Sequence, residues 1–227
     1  MFRYVYIQDS ILPSINMRFL LLLLISLSLS CTKPVPNESV VYNNDFTSGV
    51  LTNMSGGVLN SYNSQQCLGP YNRSGFLLSL SDLPKHNALI IDATLLIHDS
   101  WDGNSSAGGI DGPDVWNLSV DNTAILNTTF SNSLCEPLHC IYQSFPSDYG
   151  TVNNPPMTDA KQFFPGRCWN GGMGTTSVYH IIKTISHTSN TAAIRCMDEL
   201  IQTNTADPLC DESWSLSGLI VKSVLVK

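Results

Sequence analysis

The chain has 227 residues, a formal net charge of −7 and a charged fraction of 13%. Globular domains usually contain about 25% charged residues, so Ser, Thr and Asn must supply much of the polar surface here. The acidic balance excludes the basic patch that nucleic-acid binding requires, and we expect no nucleic-acid partner. The length is sufficient for one domain with a well-buried core.

The N-terminal segment has the organisation of an export signal. Arg18 precedes an apolar run from Phe19 to Ile25, and alternating Ser and Leu then lead to Cys31. A basic, an apolar and a small-residue region in this order are typical of a secretory signal peptide. The apolar run is shorter than the about 20 residues of a transmembrane helix, which is the alternative. We therefore expect residues 1–30 to be a signal peptide, with Met17 as an alternative start.

The end of this segment, Leu29-Ser30-Cys31, resembles a bacterial lipobox. The resemblance implies that Cys31 is lipidated, and several acyl chains together anchor a protein stably to a membrane. The polar residues 31–44 carry two prolines and no periodicity, so they are interpreted as a tether. The expected product is an exported lipoprotein of the outer membrane or cell surface, with its domain at residues 45–227.

Six cysteines remain when Cys31 is set aside: Cys67, Cys135, Cys140, Cys168, Cys196 and Cys210. An even number in an exported chain predicts up to three disulfides. The sequence does not fix the pairing, although Cys135 with Cys140 and Cys196 with Cys210 would each close a short loop. A zinc site is the disfavoured alternative, because there is no paired C-x-x-C and the histidines are scattered.

Short apolar runs separated by Gly, Pro, Asn and Asp predict β-strands. In chain order they are Phe76–Leu80, Ala88–Ile97, Trp116–Val120, Ala124–Phe130, Val178–Ser186 and Leu216–Val226. Asp121-Asn122 predicts a turn, and the stretch Thr191–Leu200 is either a strand or a helical turn. Because no long helical pattern separates the runs, the sequence predicts an all-β fold, an antiparallel, jelly-roll-like β-sandwich.

Residues 131–175 break this pattern. They are rich in Pro and Gly and lack a periodic run, so they predict a long cysteine-containing loop insert. Long loops inside a domain are usually functional or disordered.

Acidic and amide side chains are densest after the run that ends at Ile97. They are Asp99, Asp102, Asn104, Asp111 and Asp114. Carboxylates that are packed together repel one another unless a cation neutralises them, and calcium prefers several oxygen ligands in an irregular loop. The sequence therefore predicts a calcium site, with a solvated turn as the alternative. Trp101 and Trp116 beside this loop are interpreted as buried residues rather than sugar platforms.

Three elements in this order resemble a calcium-associated β-sandwich domain found in surface proteins and adhesins of Bacteroidetes-type bacteria. They are Asp99–Asn104 (DSWDGN), Gly112–Trp116 (GPDVW) and Asp211–Trp214 (DESW), with Leu68–Tyr71 (LGPY) upstream. The resemblance implies a β-sandwich over about residues 45–227. It also implies that Asp211 or Glu212 joins the calcium ligands, and we select Asp211.

These features favour a surface-anchored, non-catalytic binding or adhesion module with a structural calcium site. Its partner would be a glycan or an extracellular protein. A polysaccharide hydrolase with two paired carboxylates is one alternative, although no G-x-S-x-G nucleophile motif is present and the histidines are isolated. A purely structural envelope protein is the other.

Overall fold

A computed structural model describes residues 37–105, 112–136, 140–168, 174–203 and 205–226. The predicted signal peptide, the lipidation site Cys31 and Asp111 lie outside these residues. The strands and the short helix are, in chain order, β1 (Asn37–Asn44), β2 (Met54–Ser55), β3 (Leu59–Tyr62), β4 (Gln65–Tyr71), β5 (Gly75–Leu80), β6 (Ala88–Asp99), β7 (Val115–Val120), β8 (Thr123–Thr129), β9 (Gln162–Pro165), β10 (Thr175–Ser186), β11 (Ala192–Asp198), α1 (Pro208–Asp211) and β12 (Glu212–Leu225).

The strands form two antiparallel sheets. Sheet A has the order β3-β4-β12-β6-β10-β9, with β1 also paired to β12, and sheet B has the order β2-β5-β11-β7-β8. The prediction of an all-β antiparallel sandwich is confirmed. Among the described residues, no helix is long and apolar enough to cross a bilayer.

The core lies between the two sheets and follows the alternation of side chains along each strand. On β6, the residues that face the core are Leu89, Ile91, Ala93, Leu95 and Ile97, since successive side chains of a strand point to opposite faces. Trp101, Trp116 and Trp214 are all fully buried. Burial of Trp101 and Trp116 agrees with their interpretation from the sequence.

Strand boundaries agree with the predicted runs to within a few residues, and Thr191–Leu200, left open above, contains β11. Asp121 and Asn122 both have positive φ, 49° and 65°, as the turn of a two-residue β-hairpin requires.

Two assignments from the sequence need correction. Residues 37–44 belong to β1, which pairs with β12, and not to a tether. Its residues are mostly exposed because β1 lies at an edge, so it carries no apolar run. The insert also contains β9, which is too short for a periodic pattern.

The insert is held in place by Gln143, a buried residue that the sequence did not single out. Its Oε1 atom accepts hydrogen bonds from the backbone N–H of Ser131 and Met157 and from the Tyr179 hydroxyl, at 3.2, 2.9 and 3.2 Å. One side chain therefore fixes both arms of the insert against sheet A.

Two disulfides are present among the described residues. Cys135 pairs with Cys140, as expected from the short loop between them. Cys210 pairs with Cys168 and not with Cys196. Cys196 is buried on β11 of sheet B, whereas Cys210 lies in α1 next to the loop that follows β9. Cys67 and Cys196 are buried free thiols.

Candidate functional site

A groove lies on the face of sheet A that is turned away from the core. Thr94, Leu96 and His98 alternate with the core residues of β6 and therefore face outward. Val178 of β10 is opposite Leu96 in the register. Together these residues form the centre of the outer face.

The walls of the groove come from strands at opposite edges of sheet A. Tyr62 ends β3, and Phe164 lies on β9. The two edges approach each other so closely that the Tyr62 hydroxyl donates a hydrogen bond to the backbone carbonyl of Pro165. The sheet therefore curls over its own outer face, in the direction that strand twist allows.

Tyr62 divides the groove into two chambers. The outer chamber, of about 370 Å³, is lined by residues 60–63 on one side and 165–168 on the other. The inner chamber, of about 110 Å³, has walls formed by Tyr62, Asn63, Gln65, Gln162 and Phe164 over a floor of Cys67, Thr94, Leu96, Val178 and Ser217.

The buried floor of the groove carries no charge at neutral pH. His98 forms hydrogen bonds with the hydroxyls of Thr176 and Ser215, at 2.9 and 3.0 Å. Burial, helped by the nearby Arg167 guanidinium, lowers the pKa of His98 to about 3. Burial also raises the pKa of the Cys67 thiol to about 11. The floor is thus made of neutral hydroxyl, thiol and aliphatic groups, and the His98 imidazole next to Tyr62 is neutral as well.

The rim of the groove combines amides with aromatic rings. Asn60, Asn63, Gln65 and Gln162 provide both hydrogen-bond donors and acceptors. The Tyr62 ring meets the His98 ring edge-on at a centroid distance of 4.7 Å, which fixes its orientation. The inner chamber and the amide rim therefore suit an uncharged ligand that has polar edges and an apolar face, and Arg167 adds one positive charge beside the outer chamber.

A second notable feature is a group of carboxylates at one end of the sandwich. Asp114 and Glu212 are 0% and 1% exposed, and their side chains share a hydrogen bond. The Asp102 backbone N–H and the Gln202 amide donate to Asp114 and Glu212, respectively. Among the described residues, the buried atoms Asp114 Oδ1 and Gln202 Oε1 have no hydrogen-bond partner.

Both buried carboxyl groups hold their protons more tightly than usual. Burial raises the pKa of Asp114, and the Asp102 carboxylate raises it further. Burial is also the main cause that raises the pKa of Glu212, followed by the charges of Asp114, Asp102 and Asp211. In the absence of a cation, this end of the sandwich therefore resists full ionisation.

The predicted calcium ligands lie in different surroundings, and only some of them are close to Glu212. Asp102, Asp114 and Asp211 all lie close enough to Glu212 to affect its ionisation. Asp99 is opposite Glu212 in the strand register, but its Oδ1 atom accepts a hydrogen bond from the Cys168 N–H at 3.4 Å. No three His, Cys, Asp or Glu side chains of the described ranges are arranged to hold a metal by themselves.

The side chain of Asn104, another predicted calcium ligand, is hydrogen-bonded to β8 and to the insert and not to the acidic end. Its Oδ1 atom accepts hydrogen bonds from the hydroxyls of Thr129 and Ser144, and its amide donates to Asn153 at 2.7 Å. The side chain therefore fastens the acidic loop to the insert.

Sequence reasoning gave Glu212 only as an alternative to Asp211, and it missed Asp198. Asp198 accepts hydrogen bonds from the backbone N–H groups of Arg73, Ser74 and Leu200 and from the Trp214 indole. The sequence signal that could have identified these two residues is their position at a strand end, since Asp198 is the last residue of β11 and Glu212 is the first residue of β12.

The groove and the acidic end are physically connected. The loop from Pro165 to Cys168 lines the outer chamber. Its Arg167 donates a hydrogen bond to the Leu209 carbonyl at 3.0 Å, and its Cys168 is bonded to Cys210 next to Asp211. A Cβ atom on Gly166 would lie 2.3 Å from Asp99 Oδ1. One wall of the groove is therefore packed directly against the acidic end.

No family model and no curated protein matches the chain. Among solved structures, it is similar to a cycloisomaltooligosaccharide glucanotransferase from Paenibacillus sp., complexed with cycloisomaltoheptaose, at 12% identity and a TM-score of 0.31 over 82% of this chain and 18% of that one. It is also similar to a family 35 carbohydrate-binding module from Clostridium thermocellum, at 8% identity and a TM-score of 0.32 over 82% of this chain and 97% of that one. Likenesses of this size identify neither a family nor a ligand.

Proposed function

We propose that this protein is a non-catalytic glycan-binding module, held at the outer membrane or cell surface by a lipid on Cys31. The groove on sheet A carries the proposal. Its outer chamber of about 370 Å³ falls within the range of about 300–1,000 Å³ that is usual for small-molecule sites.

The chemistry of the groove supports a sugar. A pyranose ring has hydroxyl groups around its edge and apolar C–H faces. The amides of Asn60 and Asn63 match the edge, whereas the rings of Tyr62 and Phe164 match the faces. Aromatic rings offer a large apolar contact area with little conformational freedom to lose.

The acidic end argues against the hydrolase alternative. Retaining glycosidases place two carboxyl groups about 5 Å apart, and inverting enzymes place them farther apart, on either side of an accessible bond. Asp114 and Glu212 instead share a hydrogen bond and are shielded from solvent. In this geometry no substrate reaches between them.

The test is a glycan array probed with the full chain. We expect binding to one class of neutral glycan, with binding lost in Tyr62→Ala and Phe164→Ala. Tyr149→Ala is the matched control, because Tyr149 is an exposed aromatic residue whose backbone contacts β8 at the edge of sheet B. Absence of any glycan ligand, or equal binding by all three variants, contradicts the proposal. Capture of an extracellular protein instead favours the protein-binding alternative, and an envelope defect on deletion without any ligand favours the structural one.

We also propose that a calcium ion binds at the acidic end. The donors there are oxygens, which calcium prefers, and the remainder of its about six to eight ligands can come from amide groups, backbone carbonyls and water. The buried Asp114 Oδ1 atom without a partner and the raised pKa values of Asp114 and Glu212 support this assignment. A cation would replace the protons that these groups otherwise retain.

Thermal unfolding with calcium and with chelator tests the ion. A ligand that binds only the native state raises the melting temperature, so chelation should lower it in the wild type and have little effect in Asp102→Ala. A melting temperature that is insensitive to chelator contradicts the assignment. Incorporation of a labelled fatty acid into the wild type but not into Cys31→Ala tests the anchor, and equal incorporation contradicts it.

A further inference from the structure

Tyr62 lies between the two chambers of the groove. It lines both chambers, and its hydroxyl spans the groove to the Pro165 carbonyl. The contact joins the last residue of β3 to the last residue of β9, at opposite edges of sheet A. The ring also rests against His98, 4.7 Å away, and the phenol is partly buried.

The inner chamber is too small to hold a sugar ring. Its volume of about 110 Å³ is well below the about 300 Å³ at which small-molecule sites begin. At roughly 30 Å³ per molecule in the liquid, it is large enough for only a few waters. A sugar ring or similar group can enter only if the wall between the two chambers moves.

We propose that Tyr62 is a gate: its hydrogen bond to Pro165 keeps the two chambers apart, and release of that bond joins them into one continuous groove. The open groove would extend from Asn60 and the loop at Pro165 to the floor at Leu96. This inference rests on the groove that the proposed function assigns to glycans, although its test requires no glycan.

The side chains that line the inner chamber determine which ligand groups it can accept. The floor presents the aliphatic side chains of Leu96 and Val178 and the neutral thiol of Cys67. Hydroxyl and amide groups from Thr94 and Gln162 stand beside them. The inner chamber therefore suits the apolar face of an uncharged, hydroxylated ring, and a charged group there would be desolvated without a partner.

Cys67 provides a direct reporter of the gate. It is 2% exposed, lines the same chamber as Tyr62, and lies close enough to interact electrostatically with it. Alkylation of a thiol this buried requires the residues around it to move, and displacement of Tyr62 exposes the thiol from the side of the outer chamber. Cys196 on β11 is also a buried free thiol, but it faces away from the groove and reports opening of the core instead.

The experiment measures the rate of maleimide labelling of Cys67 and Cys196 in the full chain at mildly alkaline pH, without reductant, by peptide mass spectrometry. Tyr62→Phe retains the ring and removes the hydroxyl. Because one hydrogen bond contributes about 0.5–1.5 kcal/mol net, we expect Cys67 labelling to rise about 2- to 10-fold while Cys196 labelling stays constant. Tyr149→Phe is the matched control and should change neither rate.

Unchanged labelling of Cys67 in Tyr62→Phe overturns the gate, and so does an increase that Cys196 shares equally, because that result reports a loosened core. If only the glycan assignment is wrong, Tyr62→Phe still labels Cys67 faster, but the array shows no ligand. Tyr62→Ala should label faster still, since it removes both the hydrogen bond and the ring that covers the chamber.

Discussion

The side chains of Asp114 and Glu212 share a hydrogen bond in the buried end of the sandwich, where the two residues are 0% and 1% exposed. Asp114 lies in the loop before β7, and Glu212 is the first residue of β12. Two carboxyl groups this close cannot both ionise unless a cation compensates them. The pair therefore links the stability of the domain to pH and, through the proposed calcium site, to that ion.

The first prediction concerns pH in the presence of chelator. Burial and mutual repulsion raise the pKa of both groups in the folded state above the value of about 4 in the unfolded chain. Their contribution to stability is therefore complete below about pH 4 and declines as pH rises. Urea unfolding at pH 5 and pH 8 should show a larger loss for the wild type than for Asp114→Asn. Calcium should reduce or reverse the decline, because its ligands must be deprotonated.

Equal pH dependence in the wild type and Asp114→Asn would refute this linkage. Comparing the two proteins removes the contribution of His98, which acts in the opposite direction. Its pKa is lowered to about 3 in the folded state, so its contribution to stability is present above about pH 6.5 and is lost as pH falls.

The second prediction concerns Asp198, whose carboxylate accepts hydrogen bonds from three backbone N–H groups and from the Trp214 indole. Removal of the carboxylate leaves these donors without a partner in the interior, at about 1–3 kcal/mol for each buried group. Asp198→Ala should therefore lose about 3 kcal/mol or more of unfolding free energy in urea titrations. Asp207→Ala is the control, since Asp207 is exposed and makes no side-chain cap at α1. Similar losses in the two variants would contradict this role for Asp198.

The third prediction separates the two disulfides. Cys168–Cys210 closes a loop with a sequence separation of 42, whereas the separation of Cys135 and Cys140 is 5. Loop-closure entropy assigns about 4 kcal/mol to the longer loop and about 2 kcal/mol to the shorter one. Replacing both cysteines of a pair by alanine should therefore cost more for Cys168 and Cys210. The reverse order of melting temperatures would contradict this ranking of the two disulfides.

The fourth prediction concerns the contact between the groove wall and the acidic end. A Cβ atom on Gly166 would lie 2.3 Å from Asp99 Oδ1 and 2.8 Å from the Gly174 backbone. Overpacking of this kind costs about 1–3 kcal/mol, so Gly166→Ala should lower the melting temperature. Gly218→Ala is the control, because its new Cβ would have only Thr94 Oγ1 nearby, at 3.9 Å. Equal effects of the two substitutions would mean that the wall and the acidic end are not packed together.

Every strand that the sequence predicted has one face in the core, although β4, which contributes Leu68 and Tyr71 to the core, was not predicted. β6 shows this clearly, since its core positions Leu89, Ile91 and Leu95 alternate with outward residues. β1 and β9 escaped prediction because edge strands bury few side chains and carry little hydrophobic pattern. Cys196 was paired wrongly because closeness in sequence does not indicate on which sheet a cysteine lies.

The candidate site was predictable only in part. A loop rich in Asp indicated the acidic end, and the structure brings Asp102 and Asp114 of that loop close to Glu212. The groove gave no local signal, because Tyr62 and Pro165 meet only when the opposite edges of sheet A curl together. A contact between residues so distant in sequence depends on sheet curvature, which no short pattern encodes.

The most direct test of the groove is calorimetric titration of the full chain with the glycan class that the array identifies, comparing the wild type with Phe164→Ala. Phe164 lines the inner chamber from β9, and aromatic contacts at the centre of a binding site typically contribute more than about 1 kcal/mol. We predict at least a several-fold weaker affinity for Phe164→Ala, measured at a temperature at which this variant is fully folded, and no change for Tyr149→Ala. The same affinity for the wild type and Phe164→Ala would place the glycan elsewhere and contradict the assignment of the groove.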